Sequence, residues 1–170
     1  MKILAVIRIG GDYYMKIRTD YVTNSSSSSF ILGFKSEDDI AKALADDDCG
    51  GYFETIYEDC KEAEKMNMDE MLATAREEMK WNVRFDIEYE SERARRMSWD
   101  ERHEWTKTKE FEEMVEKEIQ RRLDEIKSKA EKNDNQIFVD VSYSDECEDG
   151  ELEHHIVPYL DCCLRRFSHH

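Results

Sequence analysis

The chain is short of several residue types, and each shortage excludes something. Its 170 residues include one proline and six glycines, so few positions force a break in a helix or a strand. Its 25 basic residues are outnumbered by 41 acidic ones, giving a net charge of −16. This charge argues against direct binding to nucleic acid or to an anionic membrane, because both need a basic face. The apolar run at residues 3–9 is too short to cross a bilayer or to form the core of a secretory signal.

Cysteine usage and aromatic content indicate the class of protein. Five cysteines are an odd number and no Cys-x-x-Cys motif occurs, which favours a reduced, cytoplasmic protein without a disulfide framework. The chain carries 7 Phe, 8 Tyr and 3 Trp, more than a disordered acidic chain would hold. We therefore expect one folded domain over residues 1–170, with long solvated helices.

The charge is unevenly distributed along the chain. Residues 36–80 hold 15 acids and 5 bases, and residues 134–161 hold 9 acids and no Lys or Arg. Residues 1–35 are net basic, with 5 bases and 2 acids, while residues 98–132 are nearly balanced. Two acidic zones of this kind favour a basic protein partner, reached with long-range electrostatic steering; the alternative is that the charge serves solubility alone.

Hydrophobic periodicity predicts an α+β fold, with a mixed or antiparallel sheet of about four to six strands covered by three or four helices. Period-two alternation and strand-forming residues indicate strands at 2–9, 13–22, 30–34, 81–89, 137–143 and 162–167. Helical signals lie at 36–48, over most of 52–80, in one long helix near 98–131, and at 150–160. We divide the chain into five segments. They are a possible leader at 1–14, a strand–serine loop–strand segment at 15–35, acidic helices at 36–80, the long helix within 98–132, and a C-terminal strand–helix–strand segment at 136–170.

Capping residues mark the helix starts. Ser36 and Ser98 are each followed three residues later by an acid, which is typical of a capping box, and a helix restart is expected after Asn67. The long helix carries apolar residues at a spacing of about 3.6, which predicts one buried stripe. Its members are Phe111, Val115, Ile119, Leu123 or Arg122, Ile126 and Ala130.

The N-terminal region carries a recognisable signature. Residues 15–31 run Met-Lys-Ile-Arg-Thr-Asp-Tyr-Val-Thr-Asn, five serines, Phe and Ile. This segment resembles the N-terminus of many small uncharacterised proteins from low-GC Gram-positive bacteria and their phages, and residues 152–154 and 167–170 are similar to endings in the same group. The resemblance implies a phage or mobile-element origin, and it implies no activity.

The same region suggests a different start of translation. The codons allowed for residues 9–15 include ATA-GGA-GGT-GAT-TAT-TAT-ATG, which holds a bacterial ribosome-binding site at a normal distance before ATG. We therefore predict that Met15 is the natural start and that residues 1–14 are a translated leader. An ordinary first strand over residues 2–9 is the alternative.

The serine tract is a candidate ligand site. Serine hydroxyls and backbone N–H groups beside a basic side chain can form an anion-binding nest, and a modification site or a simple mobile loop are the alternatives. The tract lacks the glycines and lysine of a P-loop, and no Gly-x-Ser-x-Gly elbow occurs. The candidate residues are Arg18, Asn24, Ser25, Ser26, Ser27, Ser28 and Ser29.

A second candidate lies near the C-terminus, where Cys and His residues are concentrated. These are the preferred ligands of zinc, although their spacing matches no standard finger, and buried thiols with surface histidines are the simpler interpretation. The sequence thus predicts no cofactor, with zinc as the alternative. The four candidate ligands are Cys147, His154, Cys162 and His169.

The acidic clusters complete the candidate sites. They lack the glycine and glutamate spacing of an EF-hand, so an interaction surface is favoured over a calcium loop. The sequence thus predicts a non-enzymatic acidic interaction protein of a phage or mobile element, such as an inhibitor or nucleic-acid mimic that engages a basic host protein. The alternative is a small zinc-dependent enzyme or ligand-binding module built on the Cys/His cluster and the serine loop. The predicted surface comprises Asp46, Asp47, Asp48, Glu146, Glu148, Asp149 and Glu151.

Overall fold

A computed structural model describes the backbone of residues 5–9, 12–16, 27–47, 49–144 and 149–169, and the side chains of 27–47, 49–144 and 150–168. Its centre is an antiparallel sheet of three strands, in which β3 (Ser27–Phe34) lies between β4 (Ile137–Ser144) and β5 (Cys163–His169). A separate hairpin pairs β1 (Ala5–Ile9) with β2 (Asp12–Lys16). The α+β class is confirmed, but the central sheet has fewer strands than the predicted four to six.

The helices occupy the connections between these strands. Their bounds are α1 Ile40–Asp46, α2 Phe53–Glu62, α3 Met68–Phe85, α4 Trp99–Trp105 and α5 Lys109–Lys132. Short 3-10 turns precede α1 at Glu37–Asp39 and α4 at Ala94–Arg96, and a wide π-type turn at Asp86–Glu90 extends α3. The C-terminal turns (149–159) comprise Asp149–Glu151, Leu152–Ile156 and Val157–Tyr159.

The sheet separates two hydrophobic cores. Because side chains alternate along a strand, Ile31 faces one core while Phe30 and Leu32 face the other. The first core is completed by α3, α4 and α5, and the second by α1, α2 and the C-terminal turns. The predicted stripe of α5 is buried in the first core, with Leu123, and not the alternative Arg122, as its fourth member. The described domain therefore has three layers, helices–sheet–helices.

Of the two predicted caps, the one at Ser98 is confirmed, and the predicted helix restart after Asn67 is confirmed as the start of α3. Asn67 and Ser98 each form a capping box, with Glu70 and Glu101 respectively. Ser36 precedes the first helical turn as expected, but its side chain makes no capping hydrogen bond.

The strand predicted at residues 81–89 was wrong, because α3 continues through it. Val83 and Ile87 are buried four residues apart, while Trp81, Phe85 and Tyr89 form a second, exposed row at the same spacing. A sequence with apolar residues at every second position satisfies both a strand and a helix with two apolar rows. The helical context from Met68 onward decides between them.

The long helix begins later than predicted. Residues 99–105 form a separate helix, and α5 starts at Lys109 with Thr108 as its N-cap, whose hydroxyl accepts a hydrogen bond from the N–H of Phe111. The Trp105 ring packs edge-on against Phe111, at a centroid distance of 5.0 Å. Burying both rings requires the chain to turn between them, which a straight helix from residue 98 would not allow.

Gly33 is needed at the centre of the sheet. A Cβ there would lie 2.9 Å from the Asn135 side chain and 2.9 Å from Leu164 Cδ1. The residue that the sequence marks as a weak point in the strand therefore permits close packing across β3.

Candidate functional site: the serine end of the sheet and the acidic layer

The serine tract lies partly inside the sheet. Ser27, Ser28 and Ser29 begin β3, and the side chains of Ser28 and Ser29 are buried, so the prediction of a loop was wrong for these three residues. In the antiparallel register Ser27 pairs with His169 and Ser28 with Ser168. The fold thus joins the serine tract directly to the C-terminal strand. Arg18, Asn24, Ser25 and Ser26 lie outside the described residues.

A buried carboxylate organises this end of the sheet. Glu153, on the C-terminal turns, is fully buried, and its Oε1 accepts hydrogen bonds from Ser28 Oγ at 2.7 Å and from Arg166 Nη2 at 3.1 Å. Arg166 Nε also donates to Ser28 Oγ at 3.0 Å, which closes a three-residue network. The Arg166 guanidinium lies 5.8 Å from the centre of the Phe30 ring. We call Ser28, Glu153 and Arg166 the serine-end network.

The second oxygen of Glu153 has a different environment. Oε2 is buried and has no hydrogen-bond partner among the described residues, and it lies 3.6 Å from His154 Nε2. His154 Nδ1 in turn lies 3.4 Å from Arg166 Nη2. Ser28 is fully buried, and its hydroxyl donates to Glu153 and accepts from Arg166, so the hydroxyl is held in place inside the fold.

Sequence reasoning named neither Arg166 nor Glu153 as a candidate site residue. Both residues reach Ser28 only through tertiary contacts that join parts of the chain more than 120 residues apart, so no local sequence pattern identifies them.

The predicted metal ligands are only partly described. Cys162 is buried in the second core, while His154 contacts the serine-end network. Cys147 and the side chain of His169 lie outside the described residues. Within the described part of the chain, no group of three or more Cys, His, Asp or Glu side chains is placed to hold a metal ion. The zinc site stays a prediction.

The described thiols are unreactive by environment. Cys49, Cys60, Cys162 and Cys163 are all free and buried. Burial raises the pKa of the Cys60 thiol to about 12 and that of Cys163 to about 11, and it also raises the pKa of Cys162. Cys60, Cys162 and Cys163 are therefore protonated at neutral pH, and the thiolate is the form that attacks and binds metals.

The two acidic zones of the sequence meet in space. Asp47, at the end of α1, accepts a hydrogen bond from the N–H of Asp161 at 3.1 Å, so α1 and the segment after the C-terminal turns are adjacent. Burial raises the pKa of Asp47, as do the neighbouring carboxylates of Asp161 and Asp46, while the Asp161 N–H opposes them. We call α1, α2 and the C-terminal turns, which cover one face of the sheet, the acidic layer.

The acidic layer is not neutralised internally. Residues 37–64 contain 11 acids and 2 bases, and within the described residues no ion pair joins a carboxylate of this stretch to a cation. Of the predicted surface residues, Asp46 and Glu151 are exposed and Asp47 is half-buried. Asp48, Glu146 and Glu148 lie outside the described residues, and Asp149 is described only in its backbone.

The opposite layer is different. Its helices are connected by ion pairs such as Arg76–Glu116, Arg84–Glu112 at 2.6 Å and Arg122–Asp86 at 2.7 Å. Arg121 and Arg122 lower the pKa of the Glu118 carboxyl to about 2, chiefly through the hydrogen bond from Arg121. The net charge of the described domain is therefore concentrated on one side of the sheet.

An exposed row of aromatic rings runs along α3. Trp81, Phe85 and Tyr89 are 56%, 41% and 44% exposed. The Trp81 and Phe85 ring centres are 5.4 Å apart, and those of Phe85 and Tyr89 are 4.7 Å apart, both pairs stacked. We call these three rings the aromatic stripe.

Comparison with protein-family models, with curated proteins and with solved structures gives no significant match for this chain. In the part of the chain that the structure describes, no helix combines the length and the apolar character needed to cross a membrane.

Proposed function

We propose that this chain is an acidic interaction protein that binds a basic protein partner through the acidic layer, as an inhibitor or nucleic-acid mimic of a phage or mobile element would. The observation that carries this proposal is that α1 and α2 pack beside the C-terminal turns on one side of the sheet, and that within the described residues the carboxylates of residues 37–64 form no ion pair with a cation of the chain. Unpaired surface carboxylates produce a field that raises the association rate with a basic partner. The resemblance of the N-terminal segment to phage proteins supports the context.

Solubility alone is the alternative explanation for the net charge, and the distribution of the ion pairs over the two layers argues against it. Solubility requires net charge but no particular location for it. Here the helices of the opposite layer carry many acids too, and those acids are largely paired with Lys or Arg. An interaction surface accounts for why the carboxylates of α1 and α2 have no ion-pair partner among the described residues, while those of the opposite layer are largely paired.

Two triple variants with equal charge changes test the proposal. The α2 variant changes Glu54, Glu58 and Glu62 to glutamine; these exposed residues lie four positions apart on one helix. The α5 variant changes three exposed acids of the opposite layer to their amides, namely Glu113, Asp124 and Glu131. Each variant loses three negative charges, so a difference between them reports location and not net charge.

The experiment captures basic host proteins at low salt, identifies them by mass spectrometry, and measures their affinity against ionic strength. We expect the α2 variant to bind the captured protein about tenfold or more weakly, the α5 variant to bind it normally, and nucleic acid to compete. Recovery of no basic protein, or equal loss of affinity in both variants, would refute the proposal.

A second candidate function is a zinc or ligand-binding module at the serine end. The observation that supports it is the environment of the second carboxylate oxygen of Glu153. Glu153 Oε2 is buried without a hydrogen-bond partner, beside the half-exposed ring of His154. Elemental analysis of the native protein tests the zinc version: about one equivalent of zinc would support it, and less than a tenth would remove it.

A further inference from the structure

The aromatic stripe is not part of the buried face of α3. On α3 and the turn that follows it, the inward positions are filled by Met79, Val83 and Ile87, all buried. The three rings of the stripe form a separate row, stacked on each other and open to solvent. A continuous exposed apolar row on a strongly charged protein marks an interaction surface.

Three aromatic rings of this fold, one of them in the stripe, already have an arginine guanidinium of the same chain over them. Arg84 lies 5.0 Å from the ring centre of Phe111, Arg93 lies 4.9 Å from that of Trp105, and Arg102 lies 5.1 Å from that of Tyr89. One end of the stripe is thus already covered by an arginine of the chain itself.

Trp81, at the other end of the stripe, is a ring that attracts cations more strongly, and it has no arginine over it among the described residues. Tryptophan attracts cations more strongly than tyrosine or phenylalanine does. Within the described residues no cation lies over Trp81.

The charges around the stripe match a cation. Residues 69–92 hold 8 acids and 3 bases. Glu77 precedes Trp81 by four residues and Glu88 follows Phe85 by three, so both begin one helical turn from a ring of the stripe. Glu77 is paired only with the exposed Lys80, a contact that a stronger ligand can replace at little cost.

We propose that the aromatic stripe binds an arginine side chain of the basic partner, with the guanidinium stacked on Trp81 and paired to the neighbouring carboxylates. This inference rests on the proposed function, because it assumes a basic partner, and it adds a second contact surface with its own chemistry. The planar guanidinium stacks on rings and pairs with carboxylates at once, which an ammonium group does less well. The stripe therefore predicts a preference for arginine over lysine that charge alone would not give.

The test uses two octapeptides in which four arginines, or four lysines, alternate with glycine. Affinity for the full chain is measured by calorimetry at low, matched salt. We expect the arginine peptide to bind about 3- to 10-fold more tightly. The preference should vanish in Trp81→Ala and persist in part in Trp81→Phe. The matched control is Trp99→Ala, which removes another exposed tryptophan (70% exposed, on α4) and should leave the preference intact.

Each outcome has a definite meaning. Equal affinity for both peptides, or a preference that survives Trp81→Ala, overturns the inference. If both peptides bind equally and the α2 variant weakens both, the proposed function stands and the stripe has no part in it. If neither peptide binds, the proposed function fails as well. A dimer in sedimentation that Trp81→Ala dissolves would mean that a second copy of this chain occupies the stripe, and would also overturn the inference. Circular dichroism checks that each variant is folded.

Discussion

Replacing Arg166 by methionine should destabilise the protein much more than replacing Glu153 by glutamine, although both changes remove the same ion pair. The side chain of Glu153 is 0% exposed and that of Arg166 is 28% exposed. Arg166→Met leaves a carboxylate buried with Ser28 as its remaining donor, and uncovering one partner of a buried pair costs about 3–5 kcal/mol.

Glu153→Gln has a milder consequence. The amide oxygen can replace Oε1 as acceptor for Ser28 and Arg166, and the amide N–H₂ takes the place of Oε2, which accepts no hydrogen bond in the native protein. Arg166 stays charged but reaches water. What is lost is the extra strength of a charge-assisted bond, about 1 kcal/mol.

Urea unfolding at pH 7, followed by far-ultraviolet circular dichroism, measures both free energies of unfolding. The expected difference between the variants is about 2 kcal/mol or more. Arg76→Met is the control, because it breaks an exposed pair with Glu116 and should cost about 1 kcal/mol or less. A Glu153→Gln protein that is as unstable as Arg166→Met would show that burial of the carboxylate does not decide the energetics at the serine end.

Three further predictions concern packing, thiols and charge. Gly33→Ala should cost about 1–3 kcal/mol in urea unfolding through overpacking, and adding Asn135→Ala should recover part of it; no recovery would show that the close approach in β3 is not the cause. Cys60 and Cys163 should resist alkylation at pH 8 until urea is added, and rapid labelling of the folded protein would contradict their burial. Folding raises the pKa values of both thiols, so their contribution to the free energy of unfolding is complete below pH 9. Above pH 9 the thiols of the unfolded chain ionise first, and the free energy of unfolding falls by about 1.4 kcal/mol per thiol per pH unit towards pH 11. The double variant Cys60→Ala/Cys163→Ala should therefore show a shallower decline in stability between pH 9 and 11. Finally, at low salt the α2 variant should be more stable than the native protein, since it relieves repulsion, and the α5 variant less stable, since it removes partners of Lys109 and Lys127. Changes of the same sign in both would refute this reading.

Local signals in the sequence were sufficient for much of the fold. The six-residue stripe of α5 was predictable because one amphipathic face repeats over 24 residues, and the caps at Asn67 and Ser98 were predictable because a capping box needs only four neighbouring residues. The acidic zones were equally visible, since charge can be counted without knowing the fold.

Features that depend on tertiary contacts were not predictable. Residues 81–89 alternate like a strand, and they are helical because α3 continues from Met68 and buries Val83 and Ile87 in the first core. The break before Lys109 exists because Trp105 and Phe111 both enter that core. Glu153 is one of nine acids in residues 134–161, and its burial goes with a side-chain contact to Ser28, 125 residues earlier in the sequence, which no local pattern encodes.

The distribution of ion pairs carries the functional argument further than the net charge does. The α3–α5 layer shows that this chain can place Lys and Arg beside its acids wherever helices pack. The acidic layer uses the same kinds of helix on the same sheet, yet residues 37–64 have only Lys42 and Lys61 as bases. Like charges crowded on one side destabilise a fold by repulsion. A surface kept unpaired at that cost, when pairing is available on the other side of the same sheet, is best explained by a cationic partner that completes it.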